Sequence, residues 1–455
     1  MQTLYRILLS FGLSAGGAMC AHSQDEWPRF LGSKYDSTAA APMERIESID
    51  WAKPPIYQWS AKVGPGYGLG SVAGGRYYHF DATDDSENER LTARDVENGN
   101  TIWSVTSPMT YRDMFGYEEG SRSTPTIHGE SIFTFGVDGR LSCRDIGDGK
   151  LVWSVDTGEK YGVIQNFFGV GSSPLIVDDM VIVMVGGSPV ADQNIAPMQL
   201  NRVSPNGSAI VAFDQSDGSE RWRTGEDLAS YSSPRTVTIG DKPFVIAFAR
   251  GGLMMIDPAD GTVHWRFDHR ADMLESVNAM MPVVDGDEVF ISECYQVGSA
   301  LLKINADSFE PVWIDPPGDR RRQAMRSHWA TPILADGFLY GCSGRNSPDS
   351  DLRCIDWKTG GVQWSDPRRI RSSITRVGDH LIVLEERGRI EILRINPDKL
   401  DIVATWDLTQ PDGDRPALTF PCWAAPIVVG DRVIVRGDEN VVCLTFPTSQ
   451  TAASR

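Results

Sequence analysis

Arginine and aromatic residues gather in a few short stretches of this chain, in combinations that suit the capture of a ligand better than the making of bonds. One stretch holds Arg320, Arg321, Arg322, Arg326, His328 and Trp329, and a second holds Tyr111, Arg112, Asp113, Phe115 and Tyr117. A third holds Gln165, Asn166, Phe167 and Phe168, and a fourth holds Phe420 and Trp423. Large rings bury much area, and guanidinium groups fork onto carboxylates, so these residue types carry much of the energy of binding sites. Arg112, Phe168, Arg322, Arg326, His328, Trp329 and Trp423 are therefore the candidate binding residues. Each also has a plainer reading. Phe167, Phe168, Trp329 and Trp423 stand just before predicted inner strands, where rings fill a channel. The arginine run balances nearby acids as a solvated loop. His328 beside Trp329 suits packing or a hydrogen bond better than a metal.

Signatures of catalysis are scarce. The seven histidines fall in no G-x-S-x-G or H-E-x-x-H setting, so no catalytic residue and no metal ligand is assigned. Asp272, Glu275 and Asn278 are the oxygen donors calcium prefers, but their spacing predicts a helical turn within Asp272 to Met281. The stretch Asp81 to Glu89, DATDDSENE, lacks the glycine and the register of an EF-hand loop. Asn206-Gly207-Ser208 reads as a turn. The cysteines form no C-x-x-C pair. Cys143, Cys354 and Cys443 share one repeat position with Ala93 and Ala212, as small buried residues do. A bridge between Cys342 and Cys354 depends on a strand register that the sequence leaves open.

The elements that must position these residues come from a repeat. An eleven-residue pattern runs apolar or small, x, Asp, three residues, Gly, three residues, Trp. It reads ARDVENGNTIW from Ala93, CRDIGDGKLVW from Cys143, AFDQSDGSERW from Ala212, MIDPADGTVHW from Met255 and CIDWKTGGVQW from Cys354, with weaker copies ending at Trp313 and Trp406. The Asp ends a strand and can bond the turn amides. The Gly provides the positive φ of a tight bulged hairpin. The Trp then lies on the next strand, able to fill the wedge between neighbouring sheets while its N–H finds a carbonyl. A second pattern follows each Trp: STP at Ser123, SSP at Ser172 and Ser232, ATP at Ala330 and AAP at Ala424, each opening an apolar strand.

One unit is thus four strands, A to D, with the Trp on D, and such units repeated radially make propeller blades. Seven D strands run from Trp103 to Trp406. The eighth Trp, Trp59, lies at the other end of the chain, where strands after Trp406 lack their own. The expectation is an all-β, eight-bladed propeller whose N-terminal strand completes the last blade and hides both edges. The repeat tryptophans are Trp59, Trp103, Trp153, Trp222, Trp265, Trp313, Trp364 and Trp406. B–C and D–A loops then share one face. That face carries the long insertion Ser188 to Ala209, the Thr83 to Arg90 loop, the Ser343 to Asp351 loop and all the candidate binding residues.

Residues 1–23 read as an export signal: Arg6, an apolar run from Ile7 to Met19, and a small-residue cleavage pattern at Ala21-His22-Ser23. Cys20 lacks a good lipobox around it, so no lipid anchor is expected. Residues 24–58 form a lead-in, 59–446 the propeller and 447–455 a tail. The expected location is periplasmic or secreted. A formal net charge of −18 argues against nucleic-acid partners, and no later segment is long and apolar enough to span a membrane.

The Trp-bearing turns resemble the repeat of the pyrroloquinoline-quinone-like (PQQ-like) propeller family over about Trp59 to Phe446. The lead-in EWPRFLG from Glu26 resembles the start of exported bacterial members. That resemblance implies two poles: quinoprotein alcohol and glucose dehydrogenases, which hold pyrroloquinoline quinone and calcium at the ring centre, and the propeller lipoprotein of outer-membrane barrel assembly, a docking subunit. The chain departs from the first by having no adjacent cysteines, and its calcium and catalytic residues match no motif here, so none is carried over. It departs from the second in its poor lipobox. The leading expectation is an exported, non-catalytic scaffold that binds a protein of the cell envelope or a ligand through its loop-rich face, as a monomer or a subunit of a complex. The alternative is a divergent quinone- and calcium-dependent dehydrogenase of alcohols or sugars.

Overall fold

The strands that the repeat predicts are present, and their burial explains why each is a strand. Second and third strands of a blade are largely buried, and some are apolar throughout, as in Met180–Met184 and Gly252–Ile256, because both faces of each sheet press on a neighbouring blade. Outer strands alternate, as in Ile56–Lys62, because only one face finds a neighbour. The computed structural model describes residues 26–449 apart from 40, 347, 348, 368 and 414. The predicted export signal and Cys20 lie outside the described residues.

Thirty-two strands form eight antiparallel four-stranded sheets, numbered here as blades 1 to 8 in chain order from Ser71–Ala73. The predicted ring closure is present. Strand Ile56–Lys62 pairs with Asn440–Thr445, so the N-terminal strand is the outermost strand of blade 8, with Trp59 opposite Cys443.

The turn motif works between blades as well as within them. Asp95 and Asp145 accept from amides two residues ahead, as the pattern requires. Gly99 sits at φ 75°, and a Cβ there would lie 2.7 Å from the Trp59 ring. The glycine of one blade is therefore the seat of the previous blade's tryptophan, which is why the two residues recur together. Seven of the eight indoles donate to a carbonyl of the next blade, for example Trp59 to Val96 at 2.9 Å and Trp222 to Pro258 at 2.8 Å. Trp406 instead packs on Phe446. Where Phe309 replaces the glycine, its ring packs against Trp265 at 5.1 Å.

The second pattern links the inner strands. Ser or Thr just before the proline accepts a main-chain N–H from the preceding blade: Ser173 from Thr124, Ser233 from Ser173 and Thr331 from Met281, at 2.8 to 3.0 Å.

The lead-in crosses the ring on the face away from the long loops. Trp27 bridges Val72 of blade 1, Pro28 accepts from Ile127 of blade 2, Arg235 of blade 4 donates to Tyr35, and Thr38 bridges Arg376 of blade 7. A short helix, Met43–Glu47, follows, and Ile46 and Trp51 pack on blades 7 and 8. The start of the tail is paired with it through Asp50 to Pro447 and Ser449 to Ser48.

One finer expectation needs correction, and one point that the sequence left open is answered. The helical turn expected within Asp272 to Met281 is a bend and a simple turn, because Asn278 is drawn inside to donate to Ala249, Arg250 and His269 carbonyls. Cys342 and Cys354 lie on paired strands, but Cys342 faces Leu352 and Cys354 faces Tyr340, and both thiols are free. The described helical pieces are short: beside Met43–Glu47 they are Thr157–Tyr161 and, in the blade 3 insertion, two 3-10 turns, Val190–Asp192 and Pro197–Arg202.

A candidate binding cage at the mouth of the ring

Each inner strand is preceded, three residues before its proline or the equivalent position, by one residue at the head of the channel. In chain order these are Tyr67, Arg122, Gly171, Tyr231, Ala279, Trp329, Arg371 and Trp423, and all eight line one central cavity of ≈ 220 Å³. Small residues at blades 3 and 5 leave room, and the other six supply rings and guanidinium groups. Trp27, Phe30 and Leu31 of the lead-in form the floor. Phe168, Tyr117, Tyr295, His328 and Arg345 complete the wall from longer loops.

The centre of the cage is a cluster of one guanidinium and two rings tilted against each other, Trp329 and Trp423, with centroids 5.2 Å apart. The guanidinium carbon of Arg371 lies 4.8 Å from the Trp329 ring centroid and 4.9 Å from that of Trp423. Glu386 fixes this arrangement by accepting from Arg371 Nε at 2.7 Å and from the Trp423 indole at 3.1 Å through the same oxygen. Cation–π contact of this kind gains strength as water is excluded. Across the cavity, Arg122 lies over Tyr67 at 5.5 Å and is oriented by the Gly120 and Glu118 carbonyls, with Asp113 3.7 Å away. Arg345 lies over Tyr295 at 5.1 Å and has no ion-pair partner among the described residues. His328 packs edge-on against Trp329, and its Nδ1 is buried without a partner. Burial, with Arg345 and Arg371 nearby, pushes its pKa down to about 3, so the ring is neutral. No Asp or Glu is among the described residues lining the cavity. The lining therefore offers rings, planar cations and no carboxylate, with Glu386 and Asp113 set behind Arg371 and Arg122.

Of the candidates from sequence, Phe168, His328, Trp329 and Trp423 come together here. The arginines do not. Arg322 is exposed, and Arg112 is exposed and donates to the Ser86 and Tyr111 carbonyls. Arg326 is buried in a two-point contact with Asp349, which Arg320 also holds. Arg122, Arg345 and Arg371 take the role that the run of arginines suggested. The signal for Arg122 and Arg371 was the repeat slot itself, since Arg122, Trp329, Arg371 and Trp423 all occupy the same place before an inner strand, whereas Arg345 lies in the Ser343 to Asp351 loop.

The calcium readings do not assemble. Asp272 and Glu275 are exposed while Asn278 is inside, Asp81 is bound by Arg90, and Asp84 is bound by Lys62. Among the described residues no group of three His, Cys, Asp or Glu is placed to hold a metal ion, and no helix is long and apolar enough to cross a membrane.

The fold has known counterparts. BamB from Moraxella catarrhalis is 13% identical, covers 87% of this chain and 98% of its own, and superposes with a TM-score of 0.56. The quinohemoprotein alcohol dehydrogenase of Comamonas testosteroni is 12% identical, with 92% and 80% covered and a TM-score of 0.60. The quinohemoprotein alcohol dehydrogenase ADHIIG of Pseudomonas putida HK5 is 10% identical, with 94% and 81% covered and a TM-score of 0.61. At these identities the likeness is one of fold. Among curated proteins, none matches the sequence. The sequence profile described as outer membrane protein assembly factor BamB matches residues 87–366, which is more than half of the chain. With its PQQ-like repeats, this chain belongs to that family.

Proposed function

We propose that the chain is an exported, non-catalytic binding propeller that holds a protein partner of the cell envelope through its loop-rich face. A segment bearing an acidic side chain beside an apolar one would enter the cage. The observation that carries this reading is the composition of the cage: three arginines among clustered aromatic rings, with no lining carboxylate, in a chain of net charge −18. An acidic protein with a local cationic, aromatic pit selects anionic groups at that pit and repels them elsewhere. Met114, Phe115 and Phe420, the last 58% exposed, give the same loops an apolar rim for a partner to cover.

The test uses the cage's own tryptophans. Intrinsic fluorescence of the purified protein is followed during titration with short peptides that pair Asp or Glu with Phe or Leu, and with charge-reversed versions. Saturable quenching by the acidic set alone, lost in Trp329→Ala, supports the reading. Equal response to both sets, or none, overturns it.

The fold neighbours favour a second reading, a quinone enzyme. Pyrroloquinoline quinone is a planar anion, and Trp329, Trp423 and the arginines are chemically suited to such a plane. The cage does not suit the calcium that accompanies it, because no carboxylate of the described residues lines the cavity to ligate the ion or to serve as a base.

A further inference from the structure

A second cavity, of ≈ 210 Å³, lies off the ring axis under the blade 3 insertion, between the loops of blades 2, 3 and 4. Its wall is largely apolar, with Val163, Met184 and Leu228 on the blade side and Leu200 and Val203 of the insertion above. Leu200 and Val203 are buried against Phe167 and Val277, so the insertion is a packed roof.

Two polar atoms of side chains lining this cavity lack partners. Ser188 Oγ is buried with no hydrogen bond, and so is Nη1 of Arg250. Arg250 is only 4% exposed. Its other terminal nitrogen donates to the Leu274 carbonyl at 2.9 Å and to Asn201 Oδ1 at 3.3 Å, both uncharged acceptors. No carboxylate of the described residues forms an ion pair with it. Asp227, nearby in the fold, is taken by Arg266 and the Gly251 amide. Asp138, the carboxylate on the cavity wall, is taken by the Thr110 and Arg140 amides. Burial and the adjacent Arg270 bring the Arg250 pKa down to about 10, which leaves it charged at neutral pH. A buried cation without a counter-charge is costly unless something supplies one. A cavity of about 150 Å³ already accepts benzene, so this one holds a somewhat larger body.

We propose that this cavity is a binding site for a small amphiphilic carboxylate, with its acid group on Arg250 and Ser188 and its hydrocarbon under Leu200 and Val203. The site is separate from the central cage and does not depend on the function proposed for it.

The full chain is titrated calorimetrically with sodium octanoate, sodium phenylacetate, 1-octanol and octylammonium. One-to-one binding of octanoate or phenylacetate, at least tenfold tighter than the alcohol and the ammonium, is expected. Whichever acid binds tighter tells an aliphatic from an aromatic ligand. Leu200→Trp, which fills the cavity, and Arg250→Met should each weaken the acid at least tenfold, while Trp329→Ala and Arg371→Met should leave it unchanged. If Arg250→Met does not fold, Leu200→Trp, Ser188→Ala and the acid-to-alcohol ratio decide. Equal affinity for acid and alcohol, undiminished binding in Leu200→Trp, loss in the cage variants instead, or no saturable binding of either acid would overturn the proposal.

Discussion

The indole of Trp59 donates to the carbonyl of Val96 at 2.9 Å, and this bond joins the strand that completes blade 8 to the turn of blade 1. The two residues belong to different blades and share the last seam of the ring. Trp59→Ala should cost about 3–5 kcal/mol, the range for removing a buried large ring. Trp59→Phe keeps most of the packing and should cost about 1 kcal/mol for the lost hydrogen bond. Urea unfolding of both variants checks the order.

In the cage, Arg371 lies over two tilted rings and is held by one carboxylate. Arg371→Lys keeps the charge but not the plane, so affinity for acidic peptides should fall about tenfold, roughly the loss of one desolvated cation–π contact. Neutral His328 adds no titration of its own between about pH 5 and 8. Fluorescence titration at those two limits checks both statements.

Glu89 is buried with Oε1 accepting from the Val137 amide, and burial with Asp138 nearby pushes its pKa up to about 8 from an ordinary 4.5. The folded state thus holds a proton that the unfolded chain releases. The stability this group contributes is complete below about pH 4.5 and is lost as pH rises through 8. Glu89→Gln should remove that dependence, on the order of 3 kcal/mol between pH 5.5 and 8.5. Urea midpoints of the wild type and the variant at pH 5.5 and 8.5 measure it. Equal slopes for both proteins would mean that Glu89 is ionised in the fold.

Chelation should be silent. With no metal cluster among the described residues and no lining carboxylate in the cage, excess EDTA should shift the melting temperature by less than about 1 °C, since only a ligand bound to the native state raises it. Adding pyrroloquinoline quinone with and without calcium extends the test. A calcium-dependent rise would favour the enzyme reading.

The ring was legible because its grammar is local. Asp95, Gly99 and Trp103 lie within nine positions, and each acts on a turn or an adjacent blade, so spacing alone exposes them. The cage was only half legible. Tyr67 and Trp423 meet with ring centroids 4.7 Å apart although they stand at opposite ends of the propeller sequence, and nothing local marks that meeting. Trp329 and Trp423 drew notice as rings beside inner strands. Arg122 and Arg371 did not, because each stands alone and is marked only when the same slot is compared across blades, whereas Arg320 to Arg326 is a visible run of which Arg320 and Arg326 are tied to Asp349. Register, too, is decided by packing, which is why Cys342 and Cys354 could be placed on adjacent strands but not opposite one another.

The lead-in gives the ring a character its blades alone would not. With Trp27, Phe30 and Leu31 across one end of the channel, the central opening is a cup with one entrance. A guest must leave by the way it came, so a long polymer cannot thread through. What the cup can hold is an end or a protruding side chain, and a partner seated over the rim would trap it there.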